Sequence, residues 1–136
     1  MPTRALIIED EILVALDLEN ALIEIGIDVV GIAADRSSAL QIAACEPVDF
    51  ALVDVNLRDG QTGPSIGRTL AVEHGVKVIF VTANPAQLGD GVEGAIGVMS
   101  KPFSDASISA TVQFLSQVDL KAATPPQELR LFASHT

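Results

Sequence analysis

Three acidic residues in a row, Glu9-Asp10-Glu11, follow the apolar run Ala5-Leu6-Ile7-Ile8. Asp54 follows Phe50-Ala51-Leu52-Val53, Thr82 follows the run from Val76 to Val81, and Ser100-Lys101-Pro102 follows the run from Ala95 to Met99. Each feature alone has an ordinary use. Acids sit well beside a helix N-terminus, Asp54 and Thr82 can cap a turn or the next segment, and Lys101 can be a solvated loop charge. Together they set carboxylates, a hydroxyl and an ammonium at separate segment ends, and that set has a chemistry. Gathered carboxylates repel one another and their pKa values should rise. A divalent cation relieves the repulsion, and Mg²⁺ takes oxygen ligands, keeps several waters and pairs with phosphate. Asp10 and Asp54 are suited to ligate it, with Glu9 acting directly or through water. A carboxylate can then attack a phosphoryl group to give an acyl phosphate. The metal and Lys101 would stabilise the charge spread over the transferring group, and the Thr82 hydroxyl would donate to one of its oxygens.

These residues converge only if the apolar runs are neighbouring strands. The runs, with Val29 to Ala33 as a fifth, are short, rich in Val and Ile, and nearly continuous rather than alternating. That is the pattern of parallel strands covered on both faces. Amphipathic stretches lie between them. One spans about Glu11 to Ile25, with Val14, Leu18, Ala21, Leu22 and Ile25 on one face and Gly26 ending it. A second spans Ser37 to Cys45 and stops at Pro47. A third opens at Gly63-Pro64 and ends at Gly75, and the last opens at Ser104 as N-cap, with Ile108, Val112 and Leu115 at helical spacing. The stretch from Asn84 to Gly94 holds Pro85, Gly89, Gly91 and Gly94, so the fourth of five helices is expected to be short or irregular. The expected fold is α/β: a three-layer, doubly wound, five-stranded parallel sheet with the flavodoxin-like order 2-1-3-4-5. In such sheets ligands bind beyond the carboxyl ends of the strands, where the polar residues fall.

Composition narrows the function classes. The chain of 136 residues suits one domain, and its apolar fraction of 49% allows a real core. No apolar run is long enough to span a bilayer and the N-terminus lacks a signal-peptide pattern, so a cytoplasmic protein without membrane contact is expected. The formal net charge of −10 speaks against nucleic acid as a partner and favours a basic protein surface or a bound cation. Cys45 is the only cysteine; among Ala43, Ala44 and Val48 it is expected to be buried. His74 and His135 lack ligand companions and are expected at the surface.

The same residues carry a family resemblance. Leu6-Ile7-Ile8-Glu9-Asp10-Glu11 resembles the acidic opening of bacterial two-component response-regulator receiver domains, and Leu52-Val53-Asp54-Val55-Asn56-Leu57-Arg58-Asp59-Gly60 resembles their phosphoacceptor strand and loop. Phe80-Val81-Thr82-Ala83 and Ser100-Lys101-Pro102-Phe103 resemble the other two motifs. The likeness covers residues 3–118, with 119–136 as a C-terminal tail and no output domain, and it is similar in flavour to alphaproteobacterial single-domain and general-stress-response receivers. It implies that Asp54 is the phosphoacceptor, loaded by a histidine kinase or a histidine phosphotransfer protein in a phosphorelay. It implies Mg²⁺ held by Asp10, Asp54 and the backbone carbonyl of Asn56 with Glu9 in support, Thr82 as switch hydroxyl, Lys101 on the phosphoryl group, and a cis Lys101-Pro102 bond. Asn56 and Asn84 fall where the family tunes hydrolysis. The chain would be no enzyme beyond its own phosphorylation and dephosphorylation, acting on a downstream protein or as a phosphate sink.

Two departures stand out. Many receivers place Tyr or Phe three residues before the Lys; here Val98 stands there, so the aromatic part of the switch is absent or replaced. The glycine-rich stretch before Lys101 is also short. A phosphorylation-independent interaction module on this fold is the first alternative. A cofactor-binding or hydrolytic enzyme is the second, disfavoured because flavin phosphate would meet acids after the first strand. The tail either frays or docks Leu129, Leu131 and Phe132 on the domain or on a second copy in a homodimer.

Overall fold

Along β1 (Arg4–Ile8), every residue from Ala5 to Ile8 is fully buried. Successive side chains of a strand point to opposite faces, so Leu6 and Ile8 enter one apolar layer while Ala5 and Ile7 enter another. A strand can be apolar throughout only where helices cover both faces. The computed structural model of the chain describes residues 3–117 and 123–132 and supplies that cover. Strands β2 (Asp28–Ala33), β3 (Phe50–Val53), β4 (Lys77–Thr82) and β5 (Gly97–Ser100) join β1 in parallel, in the order 2-1-3-4-5. Helices α2 (Arg36–Cys45) and α3 (Gly63–His74) lie on the face of Leu6, Ile8, Val53 and Phe80. Helices α1 (Ile12–Glu24) and α4 (Asp105–Leu115) lie on the face of Ile7, Leu52, Ile79 and Val81.

Side-chain caps set two of the helix starts, the first of them as expected. Ser104 caps α4 in a reciprocal box with Ser107, and Asp35 caps α2 through the Ser38 backbone N–H. On α1, Leu18, Ala21 and Leu22 are buried as expected, but Ile25 is 39% exposed because the helix ends at Glu24 and the chain turns away. The fourth helix of the expected alternation shrinks to one turn of 3-10 helix (Pro85–Leu88), held by the buried Leu88. No helix among the described residues is long and apolar enough to cross a membrane.

One expectation needs correction and another needs extension. Cys45 is exposed; it is the last residue of α2, a helix that buries only Ala39 fully. His74 is exposed as expected, and His135 lies outside the described residues. Among the described residues the five parallel strands are as expected, and the tail adds a sixth, β6 (Leu129–Leu131), antiparallel to β5, with Met99 opposite Leu129 and Gly97 opposite Leu131. The tail therefore neither frays nor waits for a second copy at these residues. Beyond the strand, Phe132 is fully buried, its ring 6.2 Å from that of Phe80, in the layer that also holds Val98. Gly91 makes room for it: its φ of +131° is open to glycine, and a Cβ there would meet the Phe132 ring at 2.6 Å. The short segment after β4 thus leaves a gap that an aromatic side chain from the tail fills.

Deleting a buried aromatic ring costs about 3–5 kcal/mol where the site cannot collapse. Phe132→Ala should lower the urea unfolding free energy by about 3 kcal/mol. A loss under about 0.5 kcal/mol, the range typical of a surface change, would mean that the tail is not part of the core.

Candidate functional site

The parallel ladders run one step past the strands and carry the polar residues with them. Glu9 N–H donates to the Ala33 carbonyl at 2.8 Å, and Asp54 N–H to the Ile8 carbonyl at 2.9 Å. Lys101 N–H donates to the carbonyl of Thr82, the last residue of β4, at 2.9 Å. Backbone hydrogen bonds therefore set Glu9, Asp54, Thr82 and Lys101 side by side at the carboxyl edge of β1, β3, β4 and β5. The chain next to Asp54 is fixed from below: Gly63 N–H donates to the Val55 carbonyl at 3.1 Å, and a Cβ on Gly63 would collide with the Asp54 backbone carbonyl. In sequence Gly63-Pro64 reads only as a helix start; its second task, clearance for the Asp54 main chain, has no local signal.

Lys101 is the centre of the charge arrangement. Its Nζ lies 2.6 Å from Glu9 Oε1 and 2.9 Å from Asp54 Oδ2. The Glu9 side chain is 1% exposed, that of Asp54 10% and that of Lys101 15%, so the three charges interact with little water between them. Burial pulls the Lys101 ammonium down, but hydrogen bonds to Glu9 and Asp54 outweigh it and hold the group above its ordinary value. Burial pushes Glu9 up from 4.5 to about 7, against the pull of Lys101 and the Glu11 N–H; the charge of Asp54 adds a lesser upward push. Mutual repulsion, the cause expected from sequence, is thus secondary to desolvation.

The remaining Asp54 oxygen, Oδ1, accepts the Val55 N–H at 2.7 Å. Thr82 is fully buried, and its Oγ1 accepts the Asn84 N–H at 3.1 Å. A cleft of about 210 Å³ opens over these groups, lined by Asp10, Glu11, Asp54, Asn56, Thr82, Asn84 and Lys101, among others. The Lys101-Pro102 bond is cis. A cavity of about 380 Å³ lies at the opposite, amino edge of the sheet near Asp49 and Lys77. Size does not make it the better candidate, since Asp49 is occupied by the Arg4 N–H and Lys77 by the Leu115 carbonyl.

Glu9, Asp10 and Asp54 can each offer a carboxylate oxygen within 4.8 Å of the others. An all-oxygen set of hard donors fits Mg²⁺ rather than a thiophilic metal. Asn56 borders the same cleft, and its backbone carbonyl takes no hydrogen bond among the described residues. The residues fit the ion.

The family model of the response regulator receiver domain matches residues 5–113. The chain belongs to that family. It is 38% identical over 115 residues to the phyllosphere-induced regulator PhyR of Methylorubrum extorquens, covering 82% of this chain and 43% of that protein. It is 32% identical over 120 residues to the transcriptional regulatory protein PdtaR of Mycobacterium tuberculosis, covering 83% and 56%. The chain thus spans about half the length of the curated relatives it matches. Among solved structures it resembles the PhyR receiver domain of Erythrobacter litoralis, with a TM-score of 0.77, 33% identity and coverage of 93% and 95%. It also resembles the receiver domain of the sensor histidine kinase PA1611 of Pseudomonas aeruginosa, whose active-site cleft coordinates magnesium, with a TM-score of 0.70, 27% identity and coverage of 86% and 100%. The receiver family places this chain in two-component signalling, and its acidic cluster is compatible with magnesium.

The unusual protonation of Glu9 gives a direct test. In metal-free protein its carboxyl carbon should titrate near pH 7 by NMR. Lys101→Ala should move the midpoint higher, because both contributions of the lysine lower it. The fold holds this proton more tightly than the unfolded chain does, so the stabilisation it brings is complete below about pH 4.5 and declines as the pH rises towards 7. A midpoint near 4.5 would show that Glu9 is not desolvated.

Proposed function

We propose that Asp54 accepts a phosphoryl group from a histidine kinase or histidine phosphotransfer protein, and that the phosphorylated domain changes its contacts with a protein partner. The observation that carries this reading is the placement of the Lys101 ammonium 2.9 Å from Asp54 Oδ2, beside a buried hydroxyl and a carboxylate cluster. A carboxylate oxygen of Asp54 forms the new bond to phosphorus, while the bond from phosphorus to the donor's imidazole nitrogen breaks and leaves its electron pair on that nitrogen. Lys101 stands where negative charge builds on the phosphoryl oxygens, and the Thr82 hydroxyl can turn its hydrogen to one of them. Glu9, Asp10, Asp54 and the Asn56 carbonyl would hold Mg²⁺. When bound, that ion supplies further positive charge against the phosphoryl oxygens. Glu9 then has two tasks: it shares the ion and keeps Lys101 from collapsing wholly onto Asp54.

Residues 3–118 form the receiver unit in this reading, with the tail contributing β6 to the same core. PhyR of Bartonella quintana, a structural relative, is an anti-anti-sigma factor. That likeness and the net charge of −10 favour output through a protein with a basic surface rather than through nucleic acid. Phosphorylation-independent binding, the rival reading, gives no reason for a lysine to be buried between two carboxylates.

With acetyl phosphate and Mg²⁺, intact-mass spectrometry should show one phosphoryl group added to the wild-type chain and none to Asp54→Asn. Lys101→Ala should slow uptake by roughly 100-fold, as loss of a preorganised charge does. Undiminished uptake by Asp54→Asn would refute the assignment.

A further inference from the structure

Across the cleft mouth, Asn56 Nδ2 donates a hydrogen bond to Gln87 Oε1 at 3.1 Å. Asn56 belongs to the loop after Asp54; Gln87 belongs to the 3-10 turn after β4. The turn fixes the Gln87 backbone. Pro85 fixes φ at its start, the Leu88 side chain anchors it in the core, and the Gln87 N–H donates to the Asn84 carbonyl at 3.1 Å. Asn84 in turn donates its own N–H to Thr82 Oγ1 at 3.1 Å. A chain of three hydrogen bonds therefore runs from the Thr82 hydroxyl through Asn84 and Gln87 to the Asn56 carboxamide. Asn56 borders the cleft and is half-buried, whereas Gln87 is exposed outside it.

We propose that Gln87 is a positioning residue that sets how long the phosphoryl group survives on Asp54, by pinning the Asn56 carboxamide across the cleft mouth. The proposal rests on Asp54 being the acceptor. Hydrolysis needs a water whose oxygen bonds to phosphorus from the side opposite Asp54. The bond from phosphorus to the Asp54 oxygen breaks, its electron pair returns to the carboxylate, and the proton of the water passes to solvent as inorganic phosphate leaves. The Asn56–Gln87 bridge joins the two loops that flank the approach for that water. It also engages the Asn56 amide hydrogen, which otherwise can turn inward and orient the water. Both effects slow hydrolysis while the bridge is closed. Thr82 stands at the base of this chain, since the Oγ1 that accepts the Asn84 N–H also carries the hydrogen that would reach a phosphoryl oxygen.

The test measures decay of the acyl phosphate after removal of excess acetyl phosphate, in the full chain with Mg²⁺ present. Gln87→Met keeps the length of the side chain and removes the acceptor. It should shorten the lifetime about two- to tenfold, the range that one neutral hydrogen bond supports, with the rate of phosphoryl uptake and the thermal midpoint unchanged. In the Asn56→Ala background, Gln87→Met should have no further effect, because the bridge is already gone. Gln87→Glu retains an acceptor oxygen and should restore most of the lifetime lost in Gln87→Met; the same change in the Asn56→Ala background measures its charge effect alone. An unchanged lifetime in Gln87→Met, or an equal effect with and without Asn56, overturns the proposal. If the wild-type chain takes up no phosphoryl group on Asp54, the acceptor reading falls and the proposal falls with it.

Discussion

One ammonium group between two buried carboxylates governs this structure. Lys101 Nζ touches both Glu9 and Asp54, and neither acid has much water to share the load. Desolvation of two charges costs several kcal/mol per ion before pairing offsets it, so the arrangement is poor value as a stabilising device. It is tolerable because backbone ladders hold all three residues in place whether or not the charges are balanced. The sheet stabilises the fold, and the site uses that stability to keep like charges close. A cation or phosphoryl group bound at the cleft, as proposed, would meet a pre-arranged environment rather than one that must reorganise.

The strand-end residues were more legible in the sequence than the periphery. Strand ends could be read because runs such as Ala5-Leu6-Ile7-Ile8 are apolar on both faces, a pattern with few solutions, and because parallel strands carry their last residues to a common edge. Glu9, Asp10, Asp54, Thr82 and Lys101 do meet at that edge. Less legible was anything that depends on side chains meeting across loops. Gln87 falls in a stretch whose glycines say only that a long helix breaks there, and no spacing rule links it to Asn56. The role of Gly63 beside the Asp54 carbonyl is likewise a matter of tertiary contact.

The sixth strand was obscure for a different reason. Leu129-Arg130-Leu131-Phe132 is too short to declare a strand by itself, and three residues gain little without a partner edge. What makes it a strand is the open side of β5 and the gap left by the abbreviated segment after β4. Phe132 enters the layer that holds Val98 and Phe80, with its ring 6.2 Å from that of Phe80. Cys45 went astray because its apolar neighbours in sequence lie on a helix that buries little; composition around a residue is a weak guide at a helix end.

The proposed function places the reaction on one atom, a carboxylate oxygen of Asp54. Reductive trapping of the phosphorylated chain with borohydride, followed by tandem mass spectrometry of its peptides, locates the acyl phosphate directly. The account predicts a single reduced carboxyl at position 54. Trapping at Glu9 or Asp10 with Asp54 left intact would contradict it.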